Sequence, residues 1–204
     1  MALLSLTRGL DLWSSSLTTQ HSRCKHHSAF AVRSVQFSIF NFQFVIPLTT
    51  TLIVIGKTND DRFRTIIDEY VARVNHYMPF NIEVIPELKQ AKNLSFDQQK
   101  DKEAELLQKS LKPGDYVVLL DEHGRERRSM DFAQWMQKKM SAGPKRLVFV
   151  VGGPYGFARQ IHQLASEEIS LSQMTFSHQM IRMLFVEQIY RAMTILHNEP
   201  YHHE

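Results

Sequence analysis

The chain has 204 residues, of which 43% are hydrophobic and 22% are charged, and these values predict a globular protein built around one main hydrophobic core. It contains no uninterrupted apolar run of the roughly 18 residues that a membrane-spanning helix requires, so we expect no membrane partner. The only cysteine is Cys24, which excludes an internal disulfide and a cysteine-based zinc site within one chain.

Residues 1–47 differ in composition from the rest of the chain. Of the 24 basic and 21 acidic residues, four basic residues and one acidic residue lie in residues 1–50, so the remainder has no net charge. This acid-poor segment is typical of a targeting extension, or of a start site assigned too far upstream. Because the rest of the chain has no net charge, it is not expected to bind polyanions in general, since such binding relies on many phosphate contacts.

From Thr51 onward, short apolar runs alternate with segments of helical periodicity. The apolar runs predict strands at residues 51–56, 81–86, 115–121 and 146–152. The helical pattern predicts helices at about residues 60–76, 95–111, 130–141 and 178–196. This alternation predicts an α/β fold, with a mostly parallel sheet and helices on both faces.

The stretch VFVVGGPYGF, Val148 to Phe157, is a predicted buried strand that runs into a glycine loop. The dinucleotide-binding fingerprint places its glycines differently and follows the first strand, whereas Gly152, Gly153 and Gly156 follow the fourth. The Gly-Lys-Ser/Thr of a P-loop is also missing after this strand. The glycines therefore serve either a tight turn or the close approach of the backbone to a ligand.

Two other segments are expected beside the glycine loop. The predicted strand at 115–121 ends at Leu120 and Asp121, and the carboxyl ends of parallel strands form the edge at which ligands bind. LSQMTF, residues 171–176, is predicted to be a loop in which apolar and polar residues alternate. Its apolar side chains either belong to the core or cover a flat ring such as adenine.

Several motifs occur in a fixed order towards the C-terminus: GGPYG, LSQMTFSHQMIR, EQIYRA and NEPYHHE. With the opening TLIVIGKT, they resemble the RlmH family of SPOUT-class ribosomal RNA methyltransferases over residues 51–204. The resemblance implies a deep C-terminal trefoil knot, a homodimer, a cytoplasmic location and S-adenosyl-L-methionine as methyl donor. The implied reaction methylates N3 of a pseudouridine in 23S rRNA within the ribosome, without a metal.

The resemblance also implies two sets of site residues. The cofactor-binding set comprises Leu120, Gly153, Leu171, Ser172, Gln173, Met174, Thr175 and Phe176. The catalytic set comprises His178, Arg182, Tyr201 and His202. We expect Tyr201 and His202 to hold the pseudouridine, and Arg182 to stabilise negative charge on the base or to bind a phosphate. The general base stays unassigned. His178 could also be a residue near a helix start without a chemical role, and His202 could belong to a solvated tail.

Relatives in this family begin shortly before the first strand, which favours a start at Leu48 through a non-standard initiation codon. Residues 48–204 would then form a single methyltransferase domain, and residues 1–47 a disordered extension. Two other functions are less consistent with the sequence. A nucleotide-dependent oxidoreductase is disfavoured by the missing glycine fingerprint. A catalytically silent RNA-binding or ribosome-binding SPOUT module is disfavoured by the intact GGPYG, LSQMTF and PYHHE segments.

Overall fold

The computed structural model describes residues 48–88 and 93–203, so the predictions for residues 1–47 lie outside the described residues. Five strands are present in this part of the chain: β1 (Thr49–Ile55), β2 (Phe80–Ile85), β3 (Asp115–Glu126), β4 (Arg146–Val151) and β5 (Glu167–Ser170). The same residues form five helices: α1 (Asp61–Val74), α2 (Phe96–Ser110), α3 (Ser129–Ala142), α4 (Arg159–Leu164) and α5 (His178–Leu196).

The strands form one sheet in the order β2-β1-β4-β3-β5, and all of its strand pairs are parallel. In the centre, β4 pairs with β1 on one side and with β3 on the other. All five strands therefore end at the same edge of the sheet. Ligands bind beyond this edge in open α/β sheets.

Alternating side chains of the central strands enter two separate cores, as the twofold period of a strand requires. On one face, α1, α3 and α5 cover residues such as Leu52 and Phe149, and the rings of Phe149 and Phe185 lie 4.7 Å apart. On the other face, α2 and α4 cover residues such as Ile53 and Val148. The predicted α/β fold, with a parallel sheet and helices on both faces, is confirmed.

Helix ends coincide with capping residues in the sequence. Ser95 caps α2 by accepting a hydrogen bond from the Gln98 N–H, while the Gln98 side chain accepts one from the Ser95 N–H. At the end of α3, Gly143 has φ of 65°, a left-handed conformation that glycine adopts at little cost. These local signals explain why the predicted and observed helix boundaries agree closely.

The structure adds two elements and lengthens a third. The short helix α4 and the short strand β5 were not predicted, and β3 continues to Glu126 instead of ending at Asp121. Strand β5 pairs with β3 in two stretches, with an irregularity between Leu120 and Arg125 where the intervening residues leave the ladder. This strand leads directly into residues 171–176, which contain neither helix nor strand, as predicted.

Glu167 fixes the start of β5 against the neighbouring elements. Its carboxylate accepts hydrogen bonds from Arg127 at 2.8 Å and from the Trp135 ring N–H at 2.9 Å. It also forms an ion pair with Lys139 at 2.6 Å. These partners come from the residue that follows β3 and from α3, so the unpredicted edge strand is held by side chains as well as by its ladder.

Candidate active site

A cavity of about 620 Å³ lies at the carboxyl edge of the sheet, beyond the ends of β3, β4 and β5. This volume lies within the range of small-molecule and cofactor sites. Three chain segments line most of it, namely residues 120–123, 151–157 and 169–176. These are the three segments that the sequence placed at one edge, and their convergence is the central feature of the site.

The glycine loop after β4 forms one wall of the cavity. Gly156 has φ of 80°, a conformation that other residues rarely adopt, and its N–H donates to the Gly153 carbonyl at 3.2 Å. The turn between them carries Pro154 and Tyr155, and Tyr155 stacks on Phe96 of α2 with ring centroids 4.2 Å apart. The glycines thus serve a tight turn and also bring the backbone to the cavity surface.

The end of β3 forms a second wall. Leu120 pairs with both β4 and β5, after which the chain leaves the ladder. Asp121 Oδ1 accepts a hydrogen bond from the His123 N–H at 2.9 Å, which folds this turn so that Asp121, Glu122 and His123 all line the cavity. The chain resumes pairing with β5 at Arg125, and an added Cβ on the preceding Gly124 would lie 2.7 Å from the β5 backbone.

Serine hydroxyl groups shape the segment of residues 171–176. The Ser170 hydroxyl donates to the Ser172 carbonyl at 2.8 Å, and the Met174 N–H donates to the Ser172 hydroxyl at 3.0 Å. Met174 is 71% exposed and Phe176 is 36% exposed, so neither side chain belongs to the core of the chain. Apolar side chains at a cavity rim are available to cover an apolar ring.

Seven of the eight predicted cofactor-binding residues line the cavity: Leu120, Gly153, Leu171, Ser172, Met174, Thr175 and Phe176. Gln173 does not line it; its side-chain amide lies 3.4 Å from the Glu126 carboxylate and donates to it. This contact directs the Gln173 side chain to the end of β3.

His178 lines the cavity from the first turn of α5. Ser177 caps this helix by accepting a hydrogen bond from the Met180 N–H at 3.3 Å, which sets the direction in which α5 leaves the loop. Burial lowers the pKa of His178, and the positive charge of Arg182 lowers it further. The imidazole is therefore neutral near pH 7 and able to accept a proton.

Arg182 lies one turn further along α5 and is only 3% exposed. Its guanidinium donates to the Ile55 carbonyl at 2.5 Å and to the Thr58 hydroxyl at 3.1 Å. Burial lowers its pKa, and the carboxylate of Glu87 partly offsets this effect. Arg182 thus ties the end of β1 to α5 and adds a buried positive charge beside His178, although it does not line the cavity.

The predicted tail residues lie elsewhere on the same chain. The Tyr201 hydroxyl contacts Tyr70 at 3.1 Å and Glu187 at 3.0 Å, and His202 lies 3.4 Å from Arg191. Glu187 is nine residues after His178, which corresponds to about 14 Å along an α-helix. Burial and these hydrogen bonds raise the pKa of Tyr201. Within one chain, Tyr201 and His202 do not line the cavity.

Four acidic or histidine residues of the cavity were not predicted as site residues from the sequence: Asp121, Glu122, His123 and His162. The His162 imidazole contacts Glu168 at 2.7 Å. A polar Asp-Glu-His run directly after an apolar strand was the available signal for the first three. No comparable signal marks His162, because it lies in α4, which the sequence pattern did not predict.

Residues 48–202 match the family described as "Predicted SPOUT methyltransferase". The chain belongs to the SPOUT methyltransferase family. Proteins named "Ribosomal RNA large subunit methyltransferase H" are similar over nearly their whole length. The relative from Phocaeicola vulgatus is 62% identical over 154 residues, covering 76% of this chain and 98% of that protein. The relative from Parabacteroides distasonis is 65% identical over 153 residues, covering 75% and 98%. The resemblance to the RlmH family is confirmed.

Membership in the SPOUT methyltransferase family identifies the chain as an enzyme of the methyltransferase class and removes the oxidoreductase alternative. None of the helices in residues 48–88 and 93–203 has the length and apolar character needed to cross a bilayer. Within the same residues, no group of three or more His, Cys, Asp or Glu side chains is arranged to hold a metal ion.

Proposed function

We propose that this SPOUT methyltransferase transfers a methyl group from S-adenosyl-L-methionine to N3 of a pseudouridine in large-subunit 23S rRNA. The observation that carries the proposal is the convergence of Leu120, the glycine loop and residues 171–176 around one cavity. Proteins of the same family that carry the name ribosomal RNA large subunit methyltransferase H support the RNA substrate. Because the proposed substrate is ribosomal RNA, we also propose a cytoplasmic location.

The cavity suits the proposed cofactor in size and chemistry. Backbone groups of the glycine loop and residues 171–176 are available to read an adenine edge, while Leu120, Leu171 and Met174 supply apolar contacts. Asp121 and Glu122 add acidic groups that favour a cationic ligand. S-adenosyl-L-methionine supplies an electrophilic methyl group on a sulfonium when bound. Gln173 is retained only as a peripheral candidate, because it lies outside the cavity lining.

The chain's own residues must position the acceptor nitrogen and accept its proton, since methyl transfer is an in-line displacement that depends on orientation. His178 is the residue in the cavity whose pKa is lowered, and we assign it the role of proton acceptor for the N3 proton. Arg182 contributes its positive charge from behind His178, which favours negative charge on the reacting base. Its two hydrogen bonds to the end of β1 hold that charge in place.

We further propose that the active enzyme is a homodimer in which the tail of one subunit completes the cavity of the other. Tyr201 contacts Glu187, about 14 Å along α5 from His178, and His202 contacts Arg191 one turn further on, so a tail from a second copy is the simplest source of these groups at the cavity. A deep trefoil knot in the C-terminal part of each subunit is proposed from family membership. Analytical ultracentrifugation tests the dimer; a monomer at micromolar concentration would contradict it.

The substrate is proposed to be the assembled ribosome and not free RNA. The 20 basic and 20 acidic residues after residue 50 balance, so the enzyme lacks the excess positive charge that gives strong affinity for naked RNA. Ribosome shape and additional contacts would supply the missing affinity. Equal methylation rates on free 23S rRNA and on ribosomes would contradict this part of the proposal.

A methyl-transfer assay tests the function directly. Purified protein is incubated with methyl-labelled S-adenosyl-L-methionine and ribosomes that lack the modification, and the labelled nucleotide is located by nuclease digestion and mass spectrometry. We expect label on N3 of one pseudouridine. Cofactor binding without methyl incorporation would support the silent ribosome-binding module, and label on another nucleotide would contradict the assigned substrate.

A further inference from the structure

Glu103 is a buried carboxyl group that the proposed reaction does not use. It lies in α2, which packs behind the glycine loop, and only 3% of its surface is exposed. Its Oε1 accepts a hydrogen bond from the Gln99 side chain at 2.9 Å, whereas its buried Oε2 has no hydrogen-bond partner within the described residues. Buried polar atoms nearly always have partners, so this oxygen requires an explanation.

The unpaired oxygen faces Gly153. A Cβ built on Gly153 would lie 2.7 Å from Glu103 Cδ and 2.8 Å from Oε1, and the unpaired Oε2 would be nearer still. Backbone conformation does not require glycine here, because φ of Gly153 lies outside the left-handed region in which Gly156 is found. A side chain at position 153 would therefore have to displace the carboxyl group of Glu103, which is itself buried.

This geometry changes the expected role of Gly153. Its backbone lines the cavity, but its Cβ direction points to α2. A side chain at this position would thus meet Glu103 before it blocked a ligand. Because the Gly156 N–H donates to the Gly153 carbonyl, any displacement of Gly153 would be transmitted to the rest of the glycine loop.

We propose that Glu103 is a positioning residue, which sets the place of the glycine loop by contacting Gly153 from behind the cavity wall. Because protein interiors are tightly packed, the close approach of the Glu103 carboxyl group to the Gly153 backbone keeps α2 and the glycine loop at a fixed distance from each other. The consequence for cofactor affinity rests on the proposed function. The consequence for the stability of the fold does not rest on it, so the effects on affinity and on stability can be tested separately.

The direction in which the pKa of Glu103 is shifted agrees with this packing role. Burial raises its pKa; the hydrogen bond from Gln99 acts against this rise, and the nearby carboxylate of Glu87 adds to it. The raised pKa favours the neutral form, which tolerates burial better than a carboxylate without a cationic partner does. Glutamine has nearly the same size and no charge, so Glu103→Gln preserves the contact with Gly153, whereas Glu103→Ala removes it.

The test combines Gly153→Ala with each of these changes. Thermal unfolding is measured without ligand, and the affinity for S-adenosylhomocysteine is measured by isothermal titration calorimetry. We expect Gly153→Ala to lower the melting temperature and to weaken ligand binding at least tenfold, which is about 1.4 kcal/mol. In the Glu103→Gln background the same losses should recur, because the amide occupies the same space.

In the Glu103→Ala background, adding Gly153→Ala should leave the melting temperature unchanged and the affinity within threefold of Glu103→Ala alone. Such non-additivity identifies two residues in direct contact. Equal losses from Gly153→Ala in the wild-type and Glu103→Ala backgrounds would overturn the proposal. If no variant, nor the wild type, bound S-adenosylhomocysteine, the proposed function would fail, and the pattern of melting temperatures would still decide the role of Glu103.

Discussion

Replacing Gly156 by alanine separates the geometry of the glycine loop from the general stability of the protein. Gly156 has φ of 80°, and no heavy atom lies within 4 Å of an added Cβ, so the change introduces backbone strain without a collision. For a residue with a side chain, the left-handed conformation costs about 1–2 kcal/mol. In a domain of this size, that cost lowers the melting temperature by roughly 2–8 °C.

Gly143→Ala provides the matched control. Gly143 ends α3 with φ of 65°, also has no heavy atom within 4 Å of an added Cβ, and does not line the cavity. Both variants should lose similar stability in differential scanning calorimetry. Only Gly156→Ala should weaken binding of S-adenosylhomocysteine, by up to about 5- to 30-fold if the strain must be overcome to restore the binding geometry.

Two results would refute this reasoning. An unchanged affinity in Gly156→Ala would mean that the left-handed turn is not part of the binding geometry. An equal loss of affinity in Gly143→Ala would mean that binding reports overall stability and not the conformation of the loop. Measuring both variants well below their melting temperatures keeps the folded fraction constant between them.

Three further predictions concern titratable and tail residues. His178 has a lowered pKa, so methyl transfer should persist as pH falls through 6.5, the usual histidine value, and should fail only at lower pH. His178→Asn should be nearly inactive at every pH. A steep loss of wild-type activity already at pH 7 would contradict the role of His178. Glu103 has a raised pKa, so its carboxyl group holds its proton to higher pH in the folded state than in the unfolded state. The unfolding free energy of the wild type should therefore fall relative to that of Glu103→Gln as pH rises above 4.5. A difference in urea-unfolding free energy that is independent of pH would refute this. Tyr201→Phe removes a hydroxyl group that forms hydrogen bonds with Tyr70 and Glu187. The change should lower the free energy of urea unfolding by about 1–3 kcal/mol and leave the affinity for S-adenosylhomocysteine unchanged. A loss of affinity with intact stability would instead place Tyr201 at the cofactor.

The separation of the tail from the cavity also bears on how variants of this enzyme are interpreted. Tyr201 and Arg191 lie in one cluster with Glu187, held by hydrogen bonds and a cation-π contact of 4.8 Å. A change at any of these positions therefore alters the packing of α5 as well as any contact with RNA. Measuring stability beside activity is required before such a residue is called catalytic.

The amino-acid sequence by itself determined most of the fold, because the deciding signals are local. Strands β1 and β4 contain short apolar runs, and helix α1 carries a periodic apolar face between the capping residues Asp60 and Asn75. The motifs of the glycine loop and of residues 171–176 likewise identified the family and most of the cavity lining. Parallel strands place such segments at one edge without further information.

Tertiary structure alone decided the features that depend on distant partners. Strand β5 has four residues, two of them glutamates, and is recognisable as a strand only through its ladder with β3 and the partners of Glu167. The polar end of β3 is likewise recognisable as a strand only through its pairing with β5. The carboxyl group of Glu103, 50 positions before Gly153, lies where a side chain of residue 153 would begin. Such contacts leave no periodic trace in a sequence, since they form only when the chain brings α2 behind the cavity wall.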